Sequence, residues 1–147
     1  MRAVAAIAAV LLLGAAGCGG GDGSAKGKTE SRPANPQAKA ACAAAPLAAK
    51  PKLPSRFPVV GHVTYTKDAV LGPTEVVEGY YEGNVQDAHD AYHQALQGAG
   101  FAITFDEVEA PNDSEVSWKG EGRSGQVALR NDCGGGTIYV HITNRPA

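Results

Sequence analysis

The pattern of apolar and polar positions predicts six strands and one helix in the C-terminal two thirds of the chain. Apolar residues alternate with polar ones in six short runs, at 62–67, 75–82, 101–109, 115–120, 125–131 and 137–143. Such alternation, with β-branched and aromatic residues between turn signals, is typical of strands that bury one face. Between the second and third runs, apolar residues recur at helical spacing, at Val85, Ala88, Tyr92, Ala95, Leu96 and Ala99.

The sequence also indicates both ends of this helix. Asn84 is a favourable N-cap residue just before it, and Gly100 is a residue that readily takes the left-handed conformation at a helix C-terminus. Short turns separate the strands, which favours antiparallel pairing. We therefore expect an α+β fold, an antiparallel sheet of about six strands in the order β-β-α-β-β-β-β, with one helix packed on one face.

The first third of the chain has a different composition. Gly, Ser, Lys, Pro and Ala dominate residues 19–52, and large apolar side chains are nearly absent. Such a segment buries too little apolar surface to offset the entropy lost on ordering. An alanine-rich stretch at 38–49 is able to form a short helix, but Pro46 interrupts it. We expect a signal segment at 1–17, a flexible tether at 18–52 and one folded domain at 53–147.

The first seventeen residues have the order of a secretory signal. Arg2 precedes an apolar run at 3–13, and small residues follow it. About eleven apolar residues are too few for a transmembrane helix, which needs roughly 20. The run therefore predicts export rather than a membrane span.

The small residues end in Ala15-Ala16-Gly17-Cys18, which resembles the lipobox of bacterial lipoproteins. The resemblance implies that Cys18 receives a diacylglyceryl group and becomes the new N-terminus. The match departs from the family at Ala15, where leucine is common. It implies a lipid-anchored protein on the extracytoplasmic side of a cell membrane or outer membrane, since two acyl chains anchor stably. The alternative is an ordinary secretory signal that carries a cysteine.

Two further cysteines remain, Cys42 and Cys133. An even pair in an exported chain indicates a disulfide, because oxidising compartments permit it. This bridge would close a loop of roughly 90 residues and contribute about 2–4 kcal/mol. Two free thiols, or a disulfide to a partner, are the alternatives.

Charge is unevenly distributed and excludes one class of partner. Residues 18–52 carry six basic and two acidic side chains, a net charge of +4, which suits an anionic membrane surface. Residues 53–147 carry six basic and thirteen acidic side chains, a net charge of −7. An acidic domain without a basic patch argues against nucleic acid as a partner.

Two sets of residues are candidate metal ligands. His89 and His93 are four apart on the predicted helix, a spacing that can place two imidazoles on one metal. Asp90 stands where zinc proteases have glutamate, and no third ligand is evident, so two histidines at the edge of the apolar face are the preferred interpretation. The acidic run at 106–115 lacks the spacing of an EF-hand and predicts a solvated hairpin. We expect no metal and no cofactor.

The polar face of the sheet is the candidate binding surface. If Ile138 and its alternating neighbours point inward, other side chains point outward beside hydrogen-bonding groups. These are Tyr81, Lys119, Arg130, Tyr139 and His141. Aromatic rings beside polar groups suit a protein or glycan partner. The alternative is an ordinary solvated face.

No serine lies in a nucleophile-elbow context, and no cysteine is left free after lipidation and pairing, so an enzyme is not expected.

The order of elements resembles that of small α+β domains of uncharacterised bacterial envelope lipoproteins. The resemblance rests on a strand pair, a helix that ends in Leu96-x-x-x-Gly100-Phe101, and the strands that follow it. That resemblance implies a fold and no activity. We expect a membrane-anchored envelope lipoprotein with a non-catalytic interaction or scaffold domain. The alternative is a lipoprotein that binds a small ligand, a glycan or a metal.

Overall fold

The computed structural model describes residues 35–147, so the predicted signal, Cys18 and the first half of the predicted tether lie outside the described residues. The described part contains two helices and six strands. These are α1 (Pro36–Ala43), β1 (Val63–Leu71), β2 (Thr74–Glu82), α2 (Val85–Gly98), β3 (Ala102–Glu109), β4 (Asp113–Gly120), β5 (Arg123–Gly134) and β6 (Thr137–Pro146). Neither helix is long and apolar enough to cross a membrane.

All six strands form one antiparallel sheet in the order β1-β2-β6-β5-β4-β3. Strands β3 to β6 are joined by short turns and pair in sequence, as expected. The last strand, β6, then lies against β2, with Val77 opposite Ile142. This confirms an α+β fold with a six-stranded antiparallel sheet, and it leaves β1 and β3 as the two edges.

The main core lies between α2 and one side of the sheet, which we call the inner face. From α2, Val85, Ala88, Tyr92 and Leu96 are almost fully buried against it. The strands contribute alternate residues, Val77, Val116, Trp118, Val127, Leu129, Ile138, Val140 and Ile142. Each such side chain contributes about 1.5–3 kcal/mol on burial.

Both ends of α2 form as the sequence predicts. The side chain of Asn84 accepts a hydrogen bond from the backbone N–H of Asp87 at 2.9 Å. At the other end Gly100 has φ of +85°, and the backbone N–H of Phe101 donates to the carbonyl of Leu96 at 3.0 Å. A left-handed glycine is favoured there because other residues are strained in that conformation.

The expectation of one helix was wrong, because α1 forms within the predicted tether. Asn35 caps it through a 3.0 Å hydrogen bond to the N–H of Gln37, and Pro36 occupies its first turn. Ala38 and Ala41 are buried against Tyr139 on the side of the sheet opposite α2, which we call the outer face. An alanine-rich helix has hardly any apolar stripe, so periodicity alone does not reveal it. The folded part therefore starts before residue 53.

A disulfide between Cys42 and Cys133 holds the end of α1 to the C-terminal end of β5. The two Cα atoms are 5.9 Å apart, and 91 positions of sequence separate the cysteines. The predicted pairing within the chain is confirmed. The bridge fixes α1 to the sheet although the helix itself buries only two small side chains.

Replacing Cys42 and Cys133 together by serine should lower the free energy of unfolding by about 2–4 kcal/mol. Without the bridge, the unfolded chain gains conformational entropy, because a long loop is no longer closed. Urea unfolding followed by circular dichroism measures the change. The unmutated chain under reducing conditions is the control and should unfold at the midpoint of the double variant. Equal stability of the oxidised chain and the variant would contradict a stabilising bridge.

Candidate functional site

The outer face brings together three of the five predicted binding residues. Register places Arg130 of β5 directly opposite Tyr139 of β6, and His141 lies two residues further along β6. Lys119 belongs to the same face of β4 but lies opposite Ser124, toward the far end of the sheet. The predicted surface therefore divides into a cluster around Tyr139 and a separate lysine.

The placement of Tyr81 on this face was wrong. Tyr81 lies opposite Ile138 in the β2–β6 register and is buried in the main core. Its neighbour Tyr80 lies opposite Tyr139 and occupies the outer face instead. Because Tyr80 and Tyr81 are adjacent and alike, the sequence does not indicate which of the two faces the core. A shift of one residue exchanges the two faces of a strand.

Tyr139 points to the outer face as predicted, but it is not accessible. Only 2% of it is exposed, because α1 lies over its ring. Its hydroxyl lies 3.2 Å from Nδ1 of His141. Burial, and then the nearby carboxylate of Glu78, raise the pKa of Tyr139, so its phenol stays protonated.

The charged centre beneath α1 is Glu78 of β2, which sequence reasoning missed. Its side chain is 2% exposed and accepts hydrogen bonds from Gln37 Nε2 of α1 and, at 2.9 Å, from Lys67 Nζ of β1. His141 Nδ1 lies 3.9 Å from the same oxygen. A buried carboxylate is stable only when it is paired and hydrogen-bonded, so Glu78 links α1 and β1 to the centre of the sheet. The only sequence signal for it is a glutamate at an alternating position of a strongly apolar strand.

His141 stands at the boundary between the covered and open parts of the outer face. Its side chain is 29% exposed. Burial lowers the pKa of His141, while the carboxylate of Glu78 opposes that effect. The imidazole is therefore held toward its neutral form, in which it both donates and accepts a hydrogen bond.

Beyond α1 the outer face is open and polar. Glu115 of β4 accepts a 2.9 Å hydrogen bond from Gln126 Nε2 of β5, and Arg130 lies 3.6 Å from the other carboxylate oxygen. The side chains of Arg130 and Glu115 are 27% and 34% exposed. Cross-strand contacts thus hold charged and amide groups in fixed positions while part of each stays accessible to solvent.

A groove of about 730 Å³ lies along β1, and the sequence did not predict it. Residues 44–62, which have no regular structure, form most of its wall, with Leu47, Leu53, Pro54, Phe57 and Val60 among the apolar lining. The N–H of Leu47 donates to the carbonyl of Tyr65 at 2.8 Å, and Arg56 Nε pairs with Glu121 at 2.8 Å. Pro46 and Pro51, which belong to the predicted tether, therefore lie in a loop that is bonded to β1 and to Glu121.

The two histidines of α2 converge on a carboxylate from β3. His89 Nε2 lies 3.1 Å from Asp106 Oδ1, and His93 Nε2 lies 3.6 Å from Asp106 Oδ2. The two rings are nearly parallel, with centroids 5.9 Å apart. His89 is 5% exposed, so it lies deeper than the boundary position expected for it.

Within residues 35–147, no group of three or more histidine, cysteine, aspartate or glutamate side chains is arranged to hold a metal ion. The histidine–carboxylate cluster is better described as a polar link between α2 and β3. The rest of the acidic run alternates along β3, as strand geometry requires. Asp106 faces α2 opposite Val116, whereas Glu107 lies opposite Glu115 on the outer face.

Comparison with known proteins adds no functional information. No protein-family model matches the chain, and no curated protein is significantly similar to it. Among solved structures, CalU16 from Micromonospora echinospora is 13% identical, with a TM-score of 0.30 over 56% of this chain and 67% of that chain. A resemblance this distant carries no argument about this protein.

Replacing Asp106 by alanine should lower the free energy of unfolding by about 1–3 kcal/mol, because the buried Nε2 of His89 loses its partner. Urea unfolding of the full chain measures the effect. Asp90→Ala is the matched control, since this aspartate is exposed and accepts its hydrogen bond from Gln86 on the helix surface. We expect that control to change stability by less than about 0.5 kcal/mol. Equal effects of the two variants would show that the link does not stabilise the fold.

Proposed function

We propose that this protein is a membrane-anchored lipoprotein of the cell envelope whose folded domain is a non-catalytic interaction or scaffold module. The observation that carries the proposal is the open part of the outer face, where Arg130, Glu115 and Gln126 are held by cross-strand contacts. Binding a partner costs less entropy when the contacting side chains are already fixed. A sheet surface with both donors and acceptors suits a protein or glycan better than a small molecule that needs a deep pocket.

The non-catalytic part of the proposal is supported by the surroundings of the titratable groups. Tyr139 and Glu78 are covered by α1, and His141 is engaged with both. Both cysteines of the described part form the disulfide. These groups stabilise the domain, and their contacts account for them without a reacting substrate.

The anchor is proposed from the sequence at Cys18. Seventeen positions separate Cys18 from Asn35, where the described structure begins. An extended chain spans at most about 3.3–3.6 Å per residue, so this length allows up to about 60 Å between the membrane and the domain. Such a reach would let the outer face meet a partner in the same envelope layer.

The proposal is tested by crosslinking in intact cells of the native host, followed by capture of the protein and mass spectrometry. We expect a recurrent envelope partner with the unmutated chain and its loss with Arg130→Glu, because the reversed charge faces Glu115. Cys18→Ala should abolish the partner contact and move the protein from the membrane to the soluble fraction.

Lys52→Glu is the matched control, since it makes the same charge change at an exposed position away from the outer face. This variant should keep the partner, and Arg130→Glu should keep the circular dichroism spectrum of the unmutated chain. If no partner is captured with any form, the interaction proposal fails. Retention of Cys18→Ala on membranes would overturn the lipid anchor alone.

The groove along β1 favours a second candidate function, binding of a small apolar ligand. Its volume lies within the range of about 300–1,000 Å³ that ligand pockets occupy. Tyr65 also lines the groove, and its hydroxyl lies 3.2 Å from the hydroxyl of the buried Tyr92.

We expect the fluorescence of anilinonaphthalene sulfonate to rise with the native chain if this groove binds apolar molecules, and the melting temperature to rise with it. Ala48→Trp should remove both effects, because Ala48 lines the groove. Ala45→Trp, at an exposed alanine outside the lining, should leave them unchanged. Absence of both effects in the unmutated chain would eliminate this candidate.

A further inference from the structure

We propose that the outer edge of β3 binds an extended, basic segment of the partner by adding it to the sheet as a seventh strand. The inference rests on the proposed function and specifies the kind of partner and where it docks. It comes from three features of β3: its open backbone edge, an exposed aromatic side chain and an acidic row along one face.

The two edges of the sheet differ. Along β1, the N–H of Leu47 donates to Tyr65, the hydroxyl of Thr66 donates to the carbonyl of Ala41, and the N–H of Lys52 donates to Asp68. Residues 41–52 thus cover the middle of that edge. In the described part of the chain, β3 pairs with β4 on one side and with no strand on the other. An uncovered strand presents unpaired N–H and C=O groups, which are a template for another strand.

The middle of this open strand carries an exposed aromatic side chain. Phe105 is 48% exposed and lies opposite Ser117 on the outer face, next to a break in register after Ile103. Added strands obtain affinity from backbone hydrogen bonds and specificity from contacts to alternate side chains. Phe105 offers an apolar contact of this kind at the free edge.

The acidic side chains beside the free edge of β3 favour a basic segment as the added strand. Glu107 of β3 stands directly opposite Glu115 of β4, and Glu109 stands opposite Asp113. Like charges at directly opposed positions, such as Glu107 and Glu115 here, destabilise a sheet. Arg130 of β5 lies 3.6 Å from Glu115, on the side of β4 away from β3. Lysine or arginine at every second position of an added strand would place its cations beside Glu107 and Glu109. The net charge of −7 over residues 53–147 adds a longer-range attraction.

The same charges disfavour two other occupants. A second copy that paired β3 with β3 would bring two acidic rows together. A metal ion would need converging ligands, and residues 35–147 contain no such group of three. A basic strand is the occupant that satisfies both the open backbone and the carboxylates.

The test uses the full chain purified in detergent and a fluorescent eight-residue peptide that alternates lysine with valine. Anisotropy should show binding that weakens as salt is added, because exposed charges are screened. A peptide that alternates glutamate with valine should not bind. N-methylation at alternate residues of the lysine peptide should weaken binding about tenfold or more, since an added strand then loses its ladder bonds.

Variants of the chain separate edge binding from attraction by net charge. Glu107→Lys with Glu109→Lys should abolish binding of the lysine peptide. Glu82→Lys with Asp90→Lys makes the same change in charge at exposed positions of β2 and α2 and should retain most of the binding. Phe105→Ser should weaken binding several-fold, whereas Leu71→Ser, at an exposed apolar residue of the other edge, should not.

Equal binding of the methylated and unmethylated peptides, or equal loss in the two charge variants, would overturn the inference. Self-association of the unmutated chain that Phe105→Ser abolishes would also overturn it, by showing that a second copy occupies the edge. If the peptide fails while crosslinking still captures an Arg130-dependent partner, the edge inference falls and the proposed function stands. If neither peptide binding nor crosslinking succeeds, the edge inference and the proposed function both fall.

Discussion

The pairing of β2 with β6 is the contact on which the rest of the structure depends. It joins the β1–β2 hairpin to the four strands that follow α2, and it places Val77 against Ile142 in the core. The same register sends Glu78 and His141 to the opposite face, directly across from each other. One choice of register therefore determines both the apolar face that holds α2 and the polar face that holds α1. A shift of one residue would bury Glu78 in the core and expose Val77.

Local sequence signals were sufficient for α2 and for the presence of six strands. Asn84, Gly100 and the apolar stripe of α2 are short-range features, and they form as expected. The failures concern information that is not local. The face of Tyr81 depends on the β2–β6 register, and α1 depends on a disulfide and on the carboxylate of Glu78, 41 positions beyond Gln37. The partner of His89 lies on another element, so spacing along α2 does not reveal Asp106.

In the candidate site, too, local features were predictable from the sequence and non-local ones were not. Alternation along β6 correctly separated Tyr139 and His141 from Ile138 and Val140, because strand geometry dictates it. It gave no sign that a helix would cover Tyr139. Consequently the accessible part of the outer face shifts from the predicted tyrosine toward Arg130, Glu115 and Gln126. Burial of a charged residue such as Glu78 is a tertiary property and needs the positions of Lys67 and Gln37 as well.

The position of the disulfide has a mechanical consequence. A pull on the chain ahead of α1, resisted at the C-terminus, reaches Cys42 and passes through the bridge directly to Cys133. The chain between the two cysteines, which includes β1 to β4 and α2, forms a closed loop that this pull cannot extend. Only β6 and the last residue of β5 follow the bridge along the loaded path. The domain can therefore bear tension along its backbone while most of its residues are shielded from stretching.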